Sequence, residues 1–177
     1  MTQDREFLVV AHTGREIVTD TLAAIARHCG DAGIGLRIVD HDMRGSHIKS
    51  GPPNIHPVDP VELRNMGADV AITSGDEESA AGCEVVIVLG GDGTFLRAAE
   101  LAYPTAVPVL GINLGRIGFL AEAEAERVDA VMEQLIAGDY RVEDRMTLDI
   151  AITMDGTVLD RSWALNEASI QNPRSQG

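Results

Sequence analysis

Two short apolar runs, Phe7-Leu-Val-Val-Ala11 and Glu84-Val-Val-Ile-Val-Leu89, constrain the fold more than any other feature. Each has the length and branched aliphatic content of a β-strand and no polar alternation, so each must be covered on both faces. Strands of that kind belong to parallel sheets enclosed by helices. The segments between them agree. Thr13-Gly-Arg-Glu16 has capping-box spacing, in which the Thr and Glu side chains satisfy the first free amides of a helix. Ile17, Leu22, Ala24, Ile25 and His28 then recur at helical intervals, and Gly30 and Gly33 punctuate the end. Leu36-Arg-Ile-Val-Asp40 reads as the next strand, which makes a βαβ unit with a right-handed crossover.

Residues 43–58 interrupt this regularity. Gly45, Gly51, Pro52, Pro53 and Pro57, with His47 and His56, read as a polar, kinked loop. Asp59-Pro-Val-Glu62 starts a short helix, with Pro where its missing amide costs nothing. Asp76-Glu-Glu-Ser79 reads as a solvated acidic segment. After the run ending at Leu89 and a glycine turn, Phe95 to Leu101 should be helical, and Val107-Pro-Val-Leu-Gly-Ile112 is the next strand. Val128, Val131, Met132, Leu135 and Ile136 follow the i, i+3, i+4, i+7, i+8 rule of an amphipathic helix. Alternating β and α elements predict an α/β domain over residues 1–140: an open, mostly parallel, Rossmann-like sheet with helices on both faces.

Past Gly138 the pattern changes to period two. Leu148, Ile150, Ile152 and Met154 alternate with Asp149, Ala151 and Thr153; Asp155-Gly156 supplies a hairpin turn, and the chain returns from Thr157 to Ile170. Residues 141–177 therefore read as the opening hairpin of an incomplete β-rich domain, because a two-stranded ribbon is marginal by itself.

Composition narrows the chemistry. Lys+Arg is 14 against 28 Asp+Glu, a net charge of −14, which opposes a nucleic-acid or anionic-membrane partner. Lys49 is the only lysine and follows no glycine loop, so a P-loop is excluded. No apolar run has the length of a membrane span. Cys29 and Cys83 are far apart in no metal-like spacing, and the histidines at 12, 28, 41, 47 and 56 have no ligand spacing. A reducing cytoplasm is the expected location. Aromatic residues make up only 3% of the chain, so the core must be aliphatic.

The chemistry is concentrated in Gly90-Gly-Asp-Gly-Thr94, between a buried strand and a helix. In open α/β sheets ligands bind beyond the carboxyl ends of strands. Gly90, Gly91 and Gly93 let backbone approach a phosphate, and the amides opening the next helix, with Thr94, favour an anion. A carboxylate there repels phosphate unless Asp92 holds a metal such as Mg²⁺ or takes a proton from a hydroxyl about to be phosphorylated. The plainer alternative is a tight turn with Asp and Thr as caps. Arg97, a turn into the helix, could face a phosphate, although a lone helical Arg is ordinarily solvated. Asn113-Leu-Gly-Arg-Ile-Gly-Phe-Leu120 is a second glycine-bearing loop, in which Arg116 offers a planar cation and Phe119 a surface for a base. Asn166 and Glu167 fall in the return strand, where adjacent residues reach one ligand only if the strand ends or bends.

Gly90-Gly-Asp-Gly-Thr94, Leu114-Gly-Arg-Ile-Gly-Phe119 and Ala164-Leu-Asn-Glu167, in that order, resemble the motifs of bacterial NAD kinases. The first is shared with lipid kinases and, in looser form, phosphofructokinases; the Asn-Glu pair after a hairpin singles out NAD kinase. The resemblance implies transfer of the ATP γ-phosphoryl group to the adenosine-ribose 2′-hydroxyl of NAD, with a divalent metal, most simply Mg²⁺ with ATP. It makes Asp92 the catalytic carboxylate that receives the hydroxyl proton and Gly93 its neighbour at the dinucleotide. It gives Arg97 a ligand-binding role, sets Asn166 and Glu167 at the NAD adenosine, and puts Phe119 in the nucleotide pocket. Some family members use inorganic polyphosphate, and these residues do not choose between donors. The resemblance also implies a homo-oligomer for the full-length protein. The family continues into a β-rich domain with further NAD-contacting segments that this sequence does not contain, so the chain is expected to resemble an N-terminal portion, poorly active alone.

Two other classes compete. A lipid or sugar kinase can use the same glycine turn, but a lipid substrate wants an apolar or basic rim that a charge of −14 does not provide. A non-catalytic nucleotide-binding module would keep its ligand when Asp92 is changed to Asn, whereas a kinase would lose phosphoryl transfer. A nicotinamide oxidoreductase is disfavoured because Ala11-His-Thr-Gly14 stands where a Gly-x-Gly-x-x-Gly fingerprint would follow the first strand.

Overall fold

The structure is a computed structural model that describes residues 5–11, 16–39, 60–65, 67–114, 123–124, 127–165 and 167–168. The chain divides into two compact units, Met1–Tyr140 and Arg141–Gly177.

In the first unit β1 (Glu6–Ala11), β2 (Gly35–Val39), β3 (Val70–Thr73), β4 (Val85–Leu89), β5 (Val109–Asn113) and β6 (Ala123–Glu124) form one parallel sheet in the order β3-β2-β1-β4-β5-β6. The sheet grows outward in both directions from the β1–β4 pair, whose register matches Phe7 with Val85 and Ala11 with Leu89. The order therefore reverses at the carboxyl ends of these two strands, where a doubly wound sheet leaves its crevice.

Both runs that suggested two-sided burial are buried throughout Phe7–Ala11 and Val85–Leu89. Alternation sends Phe7, Val9, Val85, Ile87 and Leu89 to one face and Leu8, Val10, Val86 and Val88 to the other. Three helices cover the first face: α1 (Glu16–Ala32), α2 (Pro60–Asn65) and α4 (Val128–Ala137). They contribute Val18, Leu22, Ile25 and Cys29, then Leu63, then Val128, Met132 and Leu135. On the second face α3 (Asp92–Ala102) packs Ala98, Leu101 and Ala102 beside Ala80 and Cys83 of the preceding turn. Helices thus lie on both faces, as the alternation predicts.

Several local expectations change. α1 continues through Gly30 to Ala32; glycine at 30 is a packing requirement, since a side chain there would meet the Gly67 carbonyl carbon at 2.7 Å. Gly33, at φ 66°, follows the helix end. His28 is not a core residue; its Nε2 lies 2.8 Å from Asp129 Oδ1 on α4. β3 is a strand the periodicity did not reveal, since it is only four residues long and half exposed. Asp76–Ser79 is a hydrogen-bonded turn with Ser79 buried, not a merely solvated segment. The expected loop at 43–58, the capping residue Thr13 and the loop 115–120 lie outside the described residues.

The second unit is an antiparallel ribbon of β7 (Leu148–Met154) and β8 (Thr157–Ala164). Asp155 and Gly156 have φ of 50° and 79°, the two positive angles of a type I′ turn. The register shifts at Ile152/Thr153, a bulge of the kind that increases local twist. β8 stops at Ala164, well short of Ile170. Glu167 is therefore beyond the strand end and exposed, not within the return strand. No helix among the described residues is long and apolar enough to cross a membrane.

Candidate active site

The five residues Gly90–Thr94 join β4 to α3 at the reversal point of the sheet, and each glycine has its own physical setting. Gly90 is buried, and its N–H donates to the Ile112 carbonyl at 3.3 Å. A Cβ there would sit 2.5 Å from Thr94 Oγ1 and 2.8 Å from Thr94 Cβ. Glycine at 90 is thus a packing requirement that lets the first turn of α3 fold back onto the strand end. At Gly91 and Gly93 a side chain's first carbon would have nothing among the described residues within 4 Å. Neither has a positive φ, so neither packing nor backbone strain calls for glycine. What these two positions leave is open backbone beside a carboxylate.

The sequence pattern placed the helix start at Phe95. The helix in fact begins at Asp92, with Gly91 as N-cap in extended conformation (φ −100°, ψ −168°) and its carbonyl accepting from Phe95 N–H at 3.0 Å. An acidic residue in the first turn is favoured by the helix dipole, which suits Asp92 to the opening of α3, with Gly93 and Thr94 after it. The first-turn amides lack intrahelical partners by construction. The half-buried Asp92 side chain and the exposed Gly93 therefore lie where an anion would meet the helix.

Arg97 is one turn further along, on the same stripe as Gly93. It is not a freely solvated arginine. Its Nη2 donates to the Gly75 carbonyl at 2.6 Å and its Nη1 to Glu100 Oε2 at 2.8 Å. Gly75 and its neighbour Asp76, which organise this contact from the turn after β3, are the residues that sequence reasoning passed over. The available signal was the grouping Ser74-Gly-Asp76 with Ser79, in which an Asp side chain can close a turn on nearby hydroxyls and amides.

The structure thus brings Gly90, Gly91, Asp92, Gly93, Thr94 and Arg97 together on one strand–turn–helix. Glu167 belongs to the other unit. Phe119 and Asn166 lie outside the described residues. Among the described residues no three His, Cys, Asp or Glu side chains gather as a metal site. Mg²⁺ commonly takes one or two protein carboxylates and completes its shell from water and phosphates, and the single carboxylate of Asp92 beside open backbone fits an ion that arrives with its phosphates.

Residues 7–140 match the ATP-NAD kinase N-terminal domain. The chain is 50% identical over 171 residues to an NAD kinase of Mycobacterium tuberculosis, covering 97% of this chain and 53% of that protein. It is 49% identical over 170 residues to an NAD kinase of Rhodococcus erythropolis, covering 96% and 52%. The chain spans about half the length of the curated relatives it matches. A crystal structure of yeast NADH kinase complexed with NADH has a similar fold, with a TM-score of 0.66 at 17% identity, covering 94% of this chain and 48% of that one.

Proposed function

Because the chain belongs to the NAD kinase family, matched by its N-terminal domain over residues 7–140, we propose that it takes part in transferring the ATP γ-phosphoryl group to the adenosine-ribose 2′-hydroxyl of NAD. The observation that carries this reading is the carboxylate of Asp92 set between two glycines that packing does not require, at the reversal point of a parallel sheet. In that setting Asp92 accepts the proton of the 2′-hydroxyl as its oxygen attacks the γ-phosphorus. The bond from phosphorus to the bridging oxygen breaks, and ADP leaves. Gly91 and Gly93 let ligand oxygens approach the backbone, Gly90 and Thr94 hold the turn, and Arg97 contributes positive charge toward the dinucleotide. Asn166 and Glu167 bind the adenosine, and Phe119 lines the nucleotide pocket. When bound with ATP, Mg²⁺ would supply charge neutralisation to the phosphates near Asp92.

Residues 1–140 are then the nucleotide-binding domain, and residues 141–177, the start of a β-rich domain, contribute Asn166 and Glu167 to adenosine recognition. On this reading the substrates are free NAD and ATP, or polyphosphate as donor, in the cytoplasm. The protein acts as a homo-oligomer without nucleic-acid or membrane partners.

The test is NADP formation from NAD and Mg-ATP by the complete gene product, with Asp92→Asn alongside. The amide cannot accept the proton, so the rate should fall by about 10²–10⁴ while nucleotide binding persists. An Asp92→Asn protein that makes NADP as fast as the parent overturns Asp92 as base. No NADP from the parent redirects the search to lipid and sugar acceptors.

A further inference from the structure

Arg97 is held by an element that lies outside the glycine turn. After β3 the chain turns through Ser74, Gly75 and Asp76, and Asp76 gathers that turn around its carboxylate. Its Oδ2 accepts from Ser74 Oγ at 2.7 Å, and its Oδ1 accepts from the Glu78 N–H at 3.1 Å and from Ser79 Oγ at 3.0 Å. The buried Ser79 hydroxyl lies 2.8 Å from Thr73 Oγ1, which ties the turn to the end of β3. From β2, Arg37 Nη1 donates to the carbonyls of Ser79 at 2.8 Å and Ala81 at 3.0 Å. Gly75 itself is buried at φ 67°, and a side chain there would meet Val39 Cγ1 at 2.7 Å.

The Gly75 carbonyl is thus aimed by its surroundings, and it receives Arg97 Nη2 at 2.6 Å. The second anchor, Glu100, is more than half exposed, and a pair of that kind contributes little by itself. Together the two acceptors fix the plane of the guanidinium while using two of its five N–H donors. An arginine oriented before its anionic ligand arrives does not lose that rotamer freedom on binding.

We infer that Gly75 is a positioning residue: its backbone carbonyl, aimed by the Asp76-centred turn, orients Arg97 toward the dinucleotide. This rests on the NAD kinase reading and deepens it, since it makes the loop after β3 part of the NAD-affinity machinery. The test is a double-mutant cycle on the complete gene product: parent, Gly75→Ala, Arg97→Ala and the double variant. The readouts are kcat and KM for NAD, the Kd for NAD by calorimetry, and Tm. Gly75→Ala should raise KM and Kd for NAD about tenfold with a smaller effect on kcat. In the Arg97→Ala background the same change should alter them by less than about twofold.

Equal losses in both backgrounds overturn the inference, because the turn would then act on the fold and not through Arg97. A fall in KM also overturns it, because the contact would then be holding Arg97 away from the ligand. Asp76→Ala loosens the turn without placing a methyl group against Val39, and it carries the same cycle if Gly75→Ala does not fold. Absence of NADP from the parent protein removes the proposed function and this inference together. An active parent with an additive cycle removes the inference alone.

Discussion

At Gly90 an added methyl group would sit 2.5 Å from Thr94 Oγ1, whereas at Gly93 it would meet nothing among the described residues. Identical residues in one five-residue turn therefore answer to different demands, and substitution separates them. Gly90→Ala should cost roughly 1–3 kcal/mol by overpacking, read as a lower midpoint in urea. Gly93→Ala lies in a helix at negative φ, where alanine is the better helix former by up to about 1 kcal/mol. It should leave the urea midpoint unchanged or raised while weakening NAD binding. A Gly93→Ala protein with unchanged NAD affinity would show that no ligand approaches that backbone. The glycine count and spacing of this turn are visible in the sequence; which glycine serves packing and which leaves space is not, because the clash at 90 exists only once α3 has folded back over the strand end.

The ends of three elements meet in one ionic clasp on the amino side of the sheet. Arg5, just before β1, donates Nε and Nη2 to the two oxygens of Glu84 at 2.6 and 2.9 Å, next to β4. The same guanidinium gives Nη1 to the Ile136 carbonyl at 2.8 Å and Nη2 to the Leu135 carbonyl at 3.3 Å, in the last turn of α4. Tyr140 OH donates to Glu84 Oε1 at 3.3 Å. The Arg5 hydrogen bonds hold the Glu84 carboxyl below its ordinary range, against the opposing effect of burial. A depressed carboxylate stabilises the fold at and above neutral pH and loses that contribution as pH falls through its lowered value. Glu84→Gln should therefore lower Tm at pH 7, with the gap from the parent narrowing in acid. A gap that is constant from pH 7 to pH 3 would rule out the clasp as a charge interaction. Sequence patterns located β1, β4 and α4 but could not anticipate this junction, since Arg5 and Glu84 are 79 residues apart. The same limit explains α3: hydrophobic period marks its apolar stripe from Phe95 onward, while its true start at Asp92 has a glycine N-cap and an acidic residue favoured by the dipole.

For the first unit as a whole, the core is almost entirely aliphatic, and both thiols are part of it. Cys29 is fully buried and desolvation pushes it up to about 12; Cys83 is also buried and raised by the same cause. Reaction requires the thiolate, so neither cysteine should label with an aromatic disulfide reagent at pH 8 until the unit opens. The labelled fraction across a urea titration should follow far-UV circular dichroism. Fast labelling of either thiol in native buffer would mean that its covering element opens locally. Much of this architecture follows from sequence alone. Continuous apolar runs bounded by amphipathic helices demand a sheet covered on both sides, and a glycine turn around an acid at a strand end marks the crevice. These are short-range signals, because side-chain periodicity and turn chemistry act within a few residues. Tertiary structure decided the rest: the strand order that puts the sheet's reversal point beside Asp92, the four-residue strand β3, and the turn whose carbonyl reaches Arg97 across 22 residues of sequence. Such contacts form between segments distant along the chain, and only packing against a shared core brings them together.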